Sequence, residues 1–114
     1  MPKRRERAAP PPKSGGWDFR YATGDAVSGW EKVGAAAPAN ARRAWEQVTT
    51  DPRERGDRQH PLKGSLSTRV VNGETLDQWQ YEVTGAGRLW YCIDDKRRIA
   101  WLTDAMPGHP KATE

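Results

Sequence analysis

The sequence predicts an α+β domain: a small, twisted antiparallel sheet packed on a helical hairpin, in the order β-α-α-β-β-β. Three observations predict it. Residues 26–48 space their apolar side chains at helical intervals, broken once at Ala37-Pro38. Residues 76–104 alternate apolar and polar side chains with the two-residue period of strands, and turn residues punctuate them. With 114 residues, the chain can build one domain with a modest core.

Each element follows in order. "MPKRRERAAPPPKSGG" (1–16) is rich in Lys, Arg and Pro, and Met1 is its one large apolar residue. It cannot bury enough surface to order itself, so it is expected to be a disordered basic arm, with the folded domain over 17–114. In "WDFRYA" (17–22), Trp17, Phe19 and Tyr21 alternate with Asp18 and Arg20, which predicts a half-buried strand. Asp25 is expected to cap a short helix carrying Ala26, Val27, Trp30 and Val33 on one face. Pro38 suits the first turn of a second helix, in which Ala41, Ala44, Trp45 and Val48 share a face, and Pro52 ends it. The tryptophans of both helices are expected to anchor the core.

Residues 51–60 read as a polar, charged loop. Asn72-Gly73 is a strong two-residue hairpin signal. Strands are predicted at 76–83, 88–93 and 98–104, joined by "TGAG" and "DDKR". Arg88 stands out, a permanent cation opening a run that otherwise reads as buried strand.

Composition narrows the function classes. Nineteen Lys and Arg against fifteen Asp and Glu give a formal charge of +4 and a pI near 9.5, which suits a polyanionic partner. The mean hydropathy of −0.98 is low, but six tryptophans each bury a large area and compensate. Cys92 is the single cysteine, which rules out an intramolecular disulfide and CxxC metal sites; in a strand it reads as a small core residue. No run approaches the roughly 20 apolar residues of a membrane span, and no apolar signal segment follows the basic start. The chain is therefore read as cytoplasmic, with no membrane partner. Walker, HExxH, GxSxG and EF-hand patterns are absent.

The order of elements, together with "HPLKGSL" (60–66), "GRLWYCIDD" (87–95) and "IAWLTDA" (99–105), resembles the RelE/ParE superfamily of bacterial toxins from type II toxin–antitoxin pairs. The resemblance spans residues 17–111. It rests on a Leu-Lys-Gly element at 62–64, a strand of the form R-[LIV]-x-Y-x-[IV]-D-[DE] from Arg88 to Asp95, and a last strand leading into the tail "AMPGHPK".

The resemblance implies a RelE-like fold and one of two activities. RelE-like and YoeB-like members cut messenger RNA on the ribosome, whereas ParE-like members inhibit DNA gyrase. In the cutting members the ribose 2′-hydroxyl attacks the adjacent phosphate without a metal or other cofactor. That chemistry needs a base, cations at the phosphate and an acid for the leaving oxygen.

By this resemblance Arg88 grips the phosphate and Lys63 adds charge. His60 falls where YoeB-like members carry a glutamate base, and His109 lies near their acid. Lys111 and Arg69 join Lys63 and Arg88 as RNA contacts. Where RelE-like members place lysines on the preceding strand, this chain has Gln80 and Glu82. The implied partners are a cognate antitoxin, messenger RNA and the ribosome, with the basic arm as a further RNA contact. Two alternatives stay open: a non-catalytic ParE-like inhibitor of a protein target, and a degenerate module that binds RNA or ribosomes without cutting.

Overall fold

The structure, a computed structural model, describes residues 3–8 and 15–108. Its elements are β1 (Asp18–Tyr21), α1 (Gly24–Ala36), α2 (Pro38–Thr50), β2 (Gln59–Pro61), a 3-10 turn (Gly64–Leu66), β3 (Thr68–Val71), β4 (Glu74–Glu82), β5 (Arg88–Asp94) and β6 (Ile99–Met106). Among the described residues no helix is long and apolar enough to cross a membrane.

Local chemistry sets the two helices. Thr23, not Asp25, caps α1: its hydroxyl accepts from the Ala26 N–H at 3.0 Å and donates to the Thr103 carbonyl at 2.8 Å. Thr23 wins because it holds the extended backbone a cap requires and is tied to β6 as well, leaving Asp25 in the first turn. Pro38 opens α2, where its missing N–H costs nothing. Ala26, Gly29 and Val33 of α1 and Ala41, Ala44 and Val48 of α2 are buried. Trp30 and Trp45 are half-buried flanks of the core rather than its anchors. Gly29 lets α1 lie directly on β6, since a Cβ there would overlap the Ala105 carbonyl oxygen.

Among the described residues the sheet has six strands and is mixed, which corrects the all-antiparallel expectation. Its order is β1-β6-β5-β4, with β2 and β3 both on the outer edge of β4. β1 runs parallel to β6, and every other pairing is antiparallel. A parallel neighbour needs a long connection, and the two helices begin the one that separates β1 from β6. Alternation within a strand fixes which side chains are buried but not which strand pairs with it. β2 was read as loop because three residues are too few to show a period. Asn72 (φ 52°) and Gly73 (φ 82°) turn β3 into β4 with the left-handed pair a tight hairpin requires.

Both faces carry a core. The larger one, on the helix face, gathers Phe19, Val33, Val48, Leu89, Tyr91 and Leu102. The smaller one, on the opposite face, joins Val71 of β3 to Cys92, Ile99 and Trp101. Two buried polar side chains satisfy each other between the strands: the Thr103 hydroxyl donates to Gln78 Oε1 at 2.7 Å, and Gln78 Nε2 donates to the Leu66 carbonyl at 2.9 Å.

Residues 3–8 belong to the arm expected to be disordered over 1–16, and in the structure they lie along β1. The N–H groups of Arg5 and Ala8 donate to the carbonyls of Tyr21 and Phe19 at 2.6 and 2.7 Å, and the Tyr21 N–H donates to Glu6 at 2.9 Å. These bonds cover the edge that β1 would otherwise expose.

Candidate functional site

Beyond the smaller core, the face opposite the helices is polar and partly exposed. Pairing β2 with β4 and β4 with β5 sets His60, Gln80 and Trp90 in one row, because cross-strand partners point to the same side. The Trp90 indole can only donate, and it donates to Gln80 Oε1 at 2.9 Å. The Gln80 amide nitrogen therefore faces His60, with its Nε2 3.3 Å from the ring Nε2. At 3.1 Å, His60 Nδ1 lies beside the Pro61 carbonyl. One arrangement of hydrogen bonds satisfies all of these contacts: Nδ1 donating to the Pro61 carbonyl and Nε2 accepting from Gln80. The ring is otherwise exposed.

Arg88 occupies the same face two residues before Trp90, about 7 Å along β5. Its cross-strand partner is Glu82, and the two charges stand 3.9 Å apart, too far for a hydrogen bond. The guanidinium turns back onto its own hairpin. Nη1 donates to the carbonyls of Thr84, Gly85 and Gly87 at 3.2–3.4 Å. All of these contacts run through Nη1, and Nε and Nη2 have no partner among the described residues. The turn can hold Arg88 this way because Thr84 Oγ1 accepts from the Gly87 N–H at 2.8 Å and folds the segment tightly.

The remaining predicted residues are scattered. Lys63 is exposed at the start of the 3-10 turn, and no side-chain partner contacts it among the described residues. Gly64, which follows it, has φ 61°, so the Leu-Lys-Gly element requires its glycine for backbone reasons. Arg69 is committed to Asp104 across the face, Nη1 to Oδ2 3.0 Å. His109 and Lys111 lie outside the described residues. The structure therefore brings His60 and Arg88 onto one face, links neither to Lys63, and holds Arg69 in an ion pair.

Gln80 and Trp90, which orient His60, were absent from the sequence-based site. The β2–β4 register that aligns them with His60 is not visible in sequence. Cys92 is buried and its thiol is pushed up to about 12 by burial, which leaves it no nucleophilic role. Among the described residues no three His, Cys, Asp or Glu side chains gather as a metal site.

Comparison of the chain with protein-family models, with curated proteins and with solved structures found no match.

Proposed function

We propose that this chain is the toxin of a type II toxin–antitoxin pair and acts in the cytoplasm as a ribosome-dependent, metal-independent endoribonuclease of RelE-like fold. The observation that carries the reading is the Trp90–Gln80–His60 row, which orients an exposed imidazole with Nε2 as a hydrogen-bond acceptor on the same face as Arg88. A merely solvated histidine needs no such support.

In this reaction His60 Nε2 exchanges its bond from Gln80 for the ribose 2′-hydroxyl and takes its proton. The 2′-oxygen bonds to phosphorus while the bond from phosphorus to the 5′-oxygen breaks. The products are a 2′,3′-cyclic phosphate and a 5′-hydroxyl, and the leaving oxygen receives a proton from His109 in the tail. Arg88 presents Nε and Nη2 to the phosphate oxygens while Nη1 stays on its turn, and the exposed Lys63 adds charge. A cognate antitoxin is the expected protein partner.

A second reading has its own support. With Arg88 Nη1 held by three carbonyls and Arg69 held by Asp104, the face is better compensated than a phosphate clamp needs. That favours a module that binds RNA or ribosomes without cutting. Induced expression of the wild type, Arg88→Ala and His60→Gln, with primer extension on a reporter message, separates the readings. Discrete cleavage that is lost in both variants supports the nuclease. Toxicity without cleavage points to a ParE-like inhibitor, and harmless expression of folded protein points to the binding module.

A further inference from the structure

We infer a second binding site, for a nucleoside monophosphate or the phosphorylated end of a nucleic acid, at the far end of the sheet from Arg88. A shallow pocket of about 420 Å³ there is lined by Arg5, Arg20, Asn72, Arg97, Ile99 and Trp101. Three arginines thus line one depression, and no acidic residue is among its lining residues.

Two of these arginines are paired with carboxylates that are not among the lining residues. Asp18 accepts from Arg20 Nη2 at 3.3 Å, while Glu74 and Asp94 hold the terminal nitrogens of Arg97 at 2.9–3.3 Å. Each fork keeps unused donors among the described residues. Arg5 uses only Nε, to Asn72 Oδ1 at 3.2 Å, so its two terminal nitrogens remain, as does the Asn72 amide nitrogen. Arg97 keeps its Nε. Arg20 Nε is buried with no acceptor at all, an unmet donor that gives this guanidinium reason to re-aim at an incoming anion.

The ligand class follows from charge and shape. A phosphate monoester carries about −1.5 to −2 at neutral pH and offers three acceptor oxygens, which matches several converging forks. Ile99 and Trp101, 9% and 5% exposed, show the pocket an apolar and partly aromatic floor, which suits a planar base beside the phosphate rather than a bare ion.

Arg5 also brings the arm into the site. Its backbone has φ 77°, unfavourable for a side-chain-bearing residue, and its carbonyl accepts from Arg20 Nη1 at 3.1 Å. A bound phosphate bridging Arg5 to Arg20 and Arg97 would therefore pin residues 3–8 onto the edge of β1. The site shares no residue with the His60 row and does not depend on the nuclease reading.

The test is NMR of the full chain, following the Trp101 indole N–H, assigned by Trp101→Phe, during titration with AMP, inorganic phosphate and adenosine. AMP is expected to give a saturable shift at lower concentration than phosphate, and adenosine none. Arg5→Gln, an exposed change, is expected to weaken AMP about tenfold, and AMP is expected to slow trypsin cleavage after Lys3 and Arg4. Competition by oligonucleotides with and without a 5′-phosphate then identifies the source: a phosphorylated strand that displaces AMP at lower concentration is the preferred form of the ligand, and one that does not leaves the free nucleotide. The inference is overturned if AMP gives no saturable shift, if adenosine shifts the signal equally, or if Arg5→Gln binds AMP as the wild type does.

Discussion

Gln80 donates to His60 because it accepts from Trp90: its Oε1 is 2.9 Å from the indole nitrogen and its Nε2 is 3.3 Å from the imidazole Nε2. A residue that can only donate fixes the amide, and the amide fixes the tautomer. Trp90→Phe removes the fixed donor and lets the Gln80 amide flip. Two-bond ¹H–¹⁵N correlation of the His60 ring should show one neutral tautomer in the wild type and a mixture in the variant. An unchanged pattern would mean that Trp90 does not set the ring. If the chain cuts RNA as proposed, His60→Gln should lower cleavage about 10²- to 10⁴-fold, the usual worth of a general base.

The approach of α1 to β6 makes Gly29 irreplaceable. An added methyl would meet the backbone carbonyl of Ala105, which cannot rotate away as a side chain could. Gly29→Ala is therefore expected to destabilise the fold by about 1–3 kcal/mol despite the better helix propensity of alanine. Urea denaturation checks it, and a midpoint equal to or above that of the wild type would contradict the close packing.

Tyr91 ties the end of α2 to the sheet. Its buried hydroxyl donates to the Pro52 carbonyl at 2.7 Å and accepts from Gln59 Nε2 at 2.9 Å. Burial also pushes the phenol above its ordinary range, so it stays protonated and able to donate. Tyr91→Phe removes the donor to the Pro52 carbonyl, while Gln59 Nε2 keeps its bond to the Asp51 carbonyl at 2.9 Å, and is expected to cost about 1–3 kcal/mol in thermal or chemical denaturation. Because β2 pairs through Gln59, amide exchange in β2 should accelerate more than in β5.

Cys92 should be silent in the native protein. It is wholly buried in the smaller core, and burial raises its thiol to about 12. Iodoacetamide at pH 8 should label it only after denaturant opens the β3 cover, and rapid native labelling would show that the smaller core is loosely closed.

What could be read from the sequence was what short-range chemistry dictates. The break at Pro38, the Asn72-Gly73 turn and the alternation in β4 and β5 each depend on residues close in the chain, and each appears in the structure. What could not be read depends on pairing between distant segments. The parallel match of β1 with β6, the short β2 and the cover β3 lays over Cys92 have no local signature. The site divides the same way. His60 and Arg88 were visible as unusual residues in their segments, but the Gln80–Trp90 support needs the β2–β4–β5 register. The sequence marked Arg88 as a strand-opening cation but not the contacts of its Nη1 with the carbonyls of Thr84, Gly85 and Gly87, which depend on how that turn folds.

Acid should weaken the fold through Asp94 and Asp18. Burial alone would raise the Asp94 carboxyl. Bonds from the Arg97 guanidinium (2.9 Å), the Trp101 indole (3.3 Å) and the Arg97 N–H (3.1 Å) outweigh it and hold the group below the usual carboxylate range. Asp18 is treated likewise by Arg7 and Arg20. In both cases the folded value lies below the unfolded one, near 3.9. The unfolded chain therefore binds more protons in this window, and stability rises with pH. The contribution is complete above about pH 5 and is lost as pH falls through the unfolded and then the folded value. Urea midpoints should hold between pH 7 and pH 5 and fall by pH 3. Asp94→Asn should lose about 1–2 kcal/mol at pH 7 and show a shallower decline between pH 5 and pH 3. A decline as steep as that of the wild type would place the acid-sensitive group elsewhere.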